Sequence, residues 1–161
     1  MTWEDYTDAI VHLDLPGGRI EVAPVAFART AGTFPGTGRP WHIITARYAG
    51  VSRHAADGGS DVLSRLLDRV AASGLTYHLA WTHDPGGPYR QQGVAVLGMD
   101  PEQARALGRD LGVDAVREWS PTTLTVVSCT EDRFRYTGWA ASPGPAQRGP
   151  AMPASGRRRC R

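Results

Sequence analysis

Residues 93–112 constrain this chain more than any other stretch, reading Gly-Val-Ala-Val-Leu-Gly-Met-Asp-Pro-Glu-Gln-Ala-Arg-Ala-Leu-Gly-Arg-Asp-Leu-Gly. Val94 to Leu97 is a short apolar run suited to a strand buried on both faces. Asp100 is placed to accept from the first helical amides, and Pro101 sits where a missing N–H costs nothing. Ala104, Leu107, Gly108 and Leu111 recur at the spacing of one helical face, and Gly112 can take the left-handed stop. The stretch is one βα unit, and it must lie in a core.

The remaining segments supply mostly strands. Residues 9–15 alternate, with Val11, Leu13 and Leu15 on one face and Ile10, His12 and Asp14 on the other. Pro16-Gly17-Gly18 turns the chain into residues 19–25, where Ile20 and Val22 resume the alternation, so a β-hairpin opens the fold. Trp41-His42-Ile43-Ile44-Thr45-Ala46 is a central strand with apolar residues on both faces, and residues 77–81 form another. Val62, Leu63, Leu66, Leu67 and Val70 mark a helix over residues 61–73, capped by Ser60 or Asp61 and stopped at Gly74. Residues 115–119, 123–129 and 133–139, separated by short polar turns, form a C-terminal β-meander. Two main helices suffice to cover one face of a mixed or antiparallel sheet. The expected fold class is therefore α+β, a two-layer sandwich in a single domain over residues 1–139. From residue 140 to 161, Pro, Gly, Ala and Arg dominate without periodicity, and a disordered tail is expected.

Composition removes several functions. The 18 basic residues are all arginine, and the chain contains neither lysine nor asparagine, which excludes a Schiff-base lysine and a P-loop lysine. Residues 1–139 hold 13 arginines against 16 acids, a charge of −3, while the tail holds five arginines and no acid. A mildly acidic body gives no basis for a nucleic-acid surface, and a few tail arginines bind nucleic acid only weakly at physiological salt. No apolar run reaches the ~18–20 residues of a membrane span, and the acidic N-terminus is not a signal peptide. With only Cys129 and Cys160, a reduced cytoplasmic protein is the expectation.

The order of motifs resembles a bacterial family known as domain of unknown function 3293, in its actinobacterial branch. Trp41-His42-Ile43-Ile44-Thr45-Ala46, Asp84-Pro85-Gly86, residues 94–100 and residues 104–112 carry the likeness, joined by Trp119-Ser120-Pro121, Val127-Ser128-Cys129 and Gly138-Trp139. The resemblance spans roughly residues 41–139 and implies a fold more than a function. Where members continue the Ile-Thr-Ala strand with Asn-Pro, this chain has Arg47-Tyr48-Ala49-Gly50. Where many have a glutamate before the apolar strand, it has Gln91 and Gln92, and an amide exchanges no proton near neutral pH.

Two irregular loops, residues 48–59 and 82–92, each follow a sheet strand. If those strands are neighbours running the same way, the loops share one sheet edge and gather polar groups there, the usual mark of a ligand site. The expected occupant is a small polar or anionic molecule, or a protein partner. Arg47 and Arg90 would be anion contacts, Thr45 and Gln91 polar contacts with Gln91 and Asp84 orienting, and Trp81 an apolar wall. The alternative at Asp84-Pro85-Gly86-Gly87 is a plain turn in which Asp84 bonds its own backbone. An accessory enzyme would use His83 as general base with Asp84 or Tyr89. No serine or cysteine nucleophile motif accompanies them, and no metal-ligand spacing or cofactor motif is present, so none is assigned. A third reading is a protein–protein module that recruits a partner by strand addition to residues 133–139.

Overall fold

A computed structural model of the chain describes residues 3–46, 58–86 and 90–144. Its elements are α1 (Trp3–Asp8), β1 (Ile10–Leu15), β2 (Gly18–Val25), β3 (Thr30–Ala31), β4 (Trp41–Ala46), α2 (Gly58–Ala72), β5 (Tyr77–His83), β6 (Arg90–Leu97), α3 (Pro101–Asp110), β7 (Ala115–Trp119), β8 (Leu124–Ser128) and β9 (Phe134–Pro143). The opening hairpin, the strand at 41–46, the βα unit and the meander all form. At α3 the local chemistry works as read: the Asp100 carboxylate accepts from the amides of Glu102 and Gln103, and Gly112 adopts a positive φ of 69°. At α2 the start differs, because the helix begins at Gly58 and Asp61 lies within its first turn, 3.9 Å from Arg65.

The sheet is not one layer of a sandwich. Eight strands close in the order β2-β1-β5-β6-β4-β7-β8-β9 and back to β2, every pairing antiparallel. The short β3 adds a parallel contact to β9. The expected two-layer α+β sandwich is thus corrected to a closed antiparallel β-barrel. Two pairings make the difference, β1 with β5 and β2 with β9, and both join segments far apart in the chain. β9 also runs to Pro143, so residues 140–143, expected in the tail, form the closing strand: Ile20 pairs with Pro143 and Ala23 with Ala140. Those four residues carry no alternation of their own, and β2 supplies their partner.

Alternation along each strand sorts residues between two cores. Inside the barrel, Val11, Leu13, Val22, Trp41, Ile43, Trp119, Leu124 and Trp139 pack around the small Ala80 and Ala95. Trp119 and Trp139 meet edge to face at 5.4 Å, with Phe34 edge-on to Trp119 at 5.0 Å near one end of the barrel. Outside, α2 and α3 lay Leu66, Val70, Ala104 and Leu107 against Ile44, Val94, Val96 and Val116. β4 and β6 are apolar on both faces because one face lines the barrel and the other carries the helices. α1, which the sequence reading left as a polar N-terminus, sits near the other end, where Tyr6 packs on Ala115 and Val126 and donates to the Asp114 carboxylate at 2.9 Å.

Candidate functional site

β4 and β5 are not the neighbours expected, because β6 lies between them; both run antiparallel to it, hence parallel to each other, so the segments that follow them leave from the same end of the barrel. Arg47, Tyr89 and most of the first loop lie outside the described residues. The other expected contacts divide between the two faces of the wall. Thr45 and Gln91 point inward, where the Thr45 hydroxyl donates to Gln91 Oε1 at 2.9 Å. Trp81, His83 and Arg90 point outward and line one cleft. Asp84 joins neither group: its carboxylate accepts from the Gly86 amide at 3.2 Å, the turn geometry of the alternative reading.

The outward cleft has a volume of about 520 Å³ and is lined by His12, Arg19, Glu21, Trp81, His83, Arg90 and Gln92. Cross-strand register assembles it: Glu21 lies opposite His12, His12 opposite Trp81, Trp81 opposite Gln92, and His83 opposite Arg90. Aromatic rings then stack along the wall. His12 lies nearly parallel to Trp81, with centroids 5.0 Å apart, and stacks on His83 at 4.9 Å. The Arg19 guanidinium covers Trp81 at 3.9 Å and is itself held by Asp14, its Nε 2.9 Å from Oδ1.

His12 is the centre of this column. It is buried, its Nε2 lies 2.9 Å from His83 Nδ1, and its Nδ1 is 3.9 Å from Glu21. One proton bridges the two imidazoles, and doubly protonating the pair would place two like charges in contact. Burial first, and then the neighbouring His83, hold His12 below its ordinary value; Arg19 and Arg90 add to this and Glu21 opposes it. Arg90 is exposed and has no ion-pair partner among the described residues.

Sequence reading missed His12, Arg19, Glu21 and Gln92. His12, Arg19 and Glu21 belong to one hairpin, and their shared outward face was legible as the polar face of an alternation. What no local pattern showed is that β5 pairs beside β1 and brings Trp81 and His83 onto that face. His78, five residues before His83, points the other way, its ring 5.7 Å from inward-facing Trp41.

Two other ionisable groups are structural. Arg117 faces the barrel interior, fully buried, and donates to the Tyr6 carbonyl at 2.9 Å; burial lowers it to about 10. Cys129 is buried beside α3, and burial raises its thiol to about 11, which leaves it inert near neutral pH.

Fold and site together define a closed antiparallel β-barrel, with helices packed on part of its outer wall and a histidine–arginine cleft on the outer face of β1, β2, β5 and β6. In comparisons with protein-family models, curated proteins and solved structures, nothing matches this chain. No helix among the described residues is long and apolar enough to cross a membrane.

Proposed function

We propose that this chain binds a small anionic molecule, a carboxylate or phosphate, in the cleft on the outer wall of β1, β2, β5 and β6. The observation that carries this reading is Arg90, a cation without an ion-pair partner among the described residues, in a cleft that also holds a hydrogen-bonded histidine pair. The Arg19 charge is already shared with Asp14, so Arg90 is the principal contact and Arg19 the secondary one. Trp81, fixed between Arg19 and His12, serves as the apolar wall.

The test is a titration of the full chain with inorganic phosphate and with citrate, followed by NMR at the Trp81 indole and the histidine rings. Saturable shifts are expected at Trp81, His12 and His83, and Arg90→Gln should weaken binding at least about tenfold, the worth of a charge-assisted hydrogen bond. Shifts that never saturate, or that Arg90→Gln leaves unchanged, would sink the reading.

One observation favours a second reading, an accessory enzyme with His83 as general base. The 2.9 Å contact gives His83 a hydrogen-bonded partner in His12, where the sequence suggested Asp84, and Glu21, 3.9 Å from His12, acts on the pair only as a nearby charge. In that case His83→Gln abolishes turnover of a bound substrate while leaving its affinity within a few-fold; loss of affinity alone returns the site to binding.

A further inference from the structure

A second cleft, of about 180 Å³, lies on the opposite outer wall between the start of α3 and the meander. Its floor is a cross-strand row: His42 lies opposite Glu118, Glu118 opposite Thr125, and Thr125 opposite Tyr136. The four residues come from four strands and share one outward face.

The charge of the cleft follows from its hydrogen bonds. His42 is buried and its Nε2 lies 3.1 Å from Glu118 Oε2. The tautomer with its hydrogen on Nε2 donates to the carboxylate and leaves only a lone pair at the buried, unpartnered Nδ1. That bond is the main reason the Glu118 carboxyl sits below its ordinary value. Arg105, the cation on the rim, is committed elsewhere: its three nitrogens donate to the Ser128 carbonyl, the Glu102 carboxylate and the Glu131 carbonyl. Glu102 and Arg105 pair with each other, so the Glu118 carboxylate, bonded to His42, is the acidic group of the cleft with no arginine upon it among the described residues.

Two further features point to a ligand. Thr125 is 5% exposed, lines the cleft, and its hydroxyl has no hydrogen-bond partner among the described residues. A buried hydroxyl without a partner costs about 1–3 kcal/mol, so a group that bonds it is favoured. Beside it, Phe134 and Tyr136 are 55% and 53% exposed, with rings edge to face at 5.1 Å. Large aromatics that pack on each other rather than into the core offer π faces to a cation.

We propose that this cleft is a binding site for an organic cation, a guanidinium or alkylammonium group. The cation donates to the Glu118 carboxylate and the Thr125 hydroxyl and rests on the Phe134 and Tyr136 rings. The group can belong to a free small molecule or to an arginine or lysine side chain, and the chemistry of recognition is the same.

The experiment titrates the full chain at pH 7.5 with methylguanidinium chloride, with sodium chloride at matched concentration as reference, and follows backbone amide shifts. Saturable shifts are expected at Thr125, Phe134 and Tyr136. Glu118→Gln should weaken binding about tenfold, and Tyr136→Leu, which keeps apolar cover but removes the π face, several-fold. Arg90→Gln, on the other wall, should change nothing. If Glu118→Gln loses spectral dispersion, Tyr136→Leu at its exposed position carries the test alone. The tripeptide Gly-Arg-Gly binding more tightly than methylguanidinium assigns the cation to a polypeptide side chain; equal binding assigns it to a small molecule. Shifts reproduced by sodium chloride, or unchanged in both cleft variants, overturn the proposal.

Discussion

His12 shows how a single side chain changes meaning once its neighbours are known. On the hairpin alone it is a polar residue on the outer face of an alternation. Against Trp81 and His83 it becomes a buried imidazole that resists protonation. The sign of the resulting pH effect follows from linkage. The unfolded chain protonates His12 near its ordinary 6.5 and the folded chain only at lower pH, so stability is lost as pH falls from about 6.5 through the folded value. Urea midpoints measured from pH 5 to 7.5 should rise with pH, and His12→Phe, which keeps the stack on Trp81, should flatten that rise. An unchanged slope would remove His12 from the account. Trp81, His83 and Arg90 stood out in the sequence because polar and aromatic groups cluster near a loop, and the fold places the three in one cleft. Thr45 and Gln91 were not separable from them without the register that turns those two inward.

Among the elements, α3 was the most legible, since cap, proline, periodic face and stop all lie within a few residues of one another. Gly108 is where local propensity and packing disagree. Propensity alone credits Gly108→Ala in a helix with roughly 1 kcal/mol of gain. In the fold, a Cβ there would collide with the Cys129 sulfur and crowd Val116, because α3 sits close on β7 and the end of β8. Overpacking of this kind costs about 1–3 kcal/mol, so Gly108→Ala should destabilise the protein in urea denaturation. Adding Cys129→Ala should recover much of the loss, and the double-mutant cycle measures the coupling. Stabilisation by Gly108→Ala would show that the helix stands further from the sheet. α1 was missed for a physical reason: its six residues are too few to form a helix alone, and Tyr6 is held by Asp114, Ala115, Val126 and Arg117 from the far side of the chain.

At the scale of the molecule, closure rests on the last strand. β2 takes up Gly138–Pro143, so the strand-addition reading of residues 133–139 shrinks to Phe134–Thr137, which pair with β8 on one side. A chain ending at residue 139 should leave β2 with an open edge and Val22 and Ile20 poorly covered. A chain ending at residue 144 should match the full-length protein. The expected difference is about 2–4 kcal/mol, for a handful of ladder hydrogen bonds at ~0.5–1.5 kcal/mol each, read as a urea midpoint. Equal stability of the two truncations would mean that the barrel does not depend on this seam. Sequence alone determined the local units: the hairpin, the two-faced strands β4 and β6, the capped α3 and the meander. Each is written in residues within a few positions of one another, where turn chemistry, capping and alternation act. Only the tertiary structure decided that the sheet closes, that His12 meets Trp81 and His83, and that His42, Glu118, Thr125 and Tyr136 form one row. Those contacts join strands distant in the chain, and a pattern with a period of two residues says which face is buried but not which strand lies beside it.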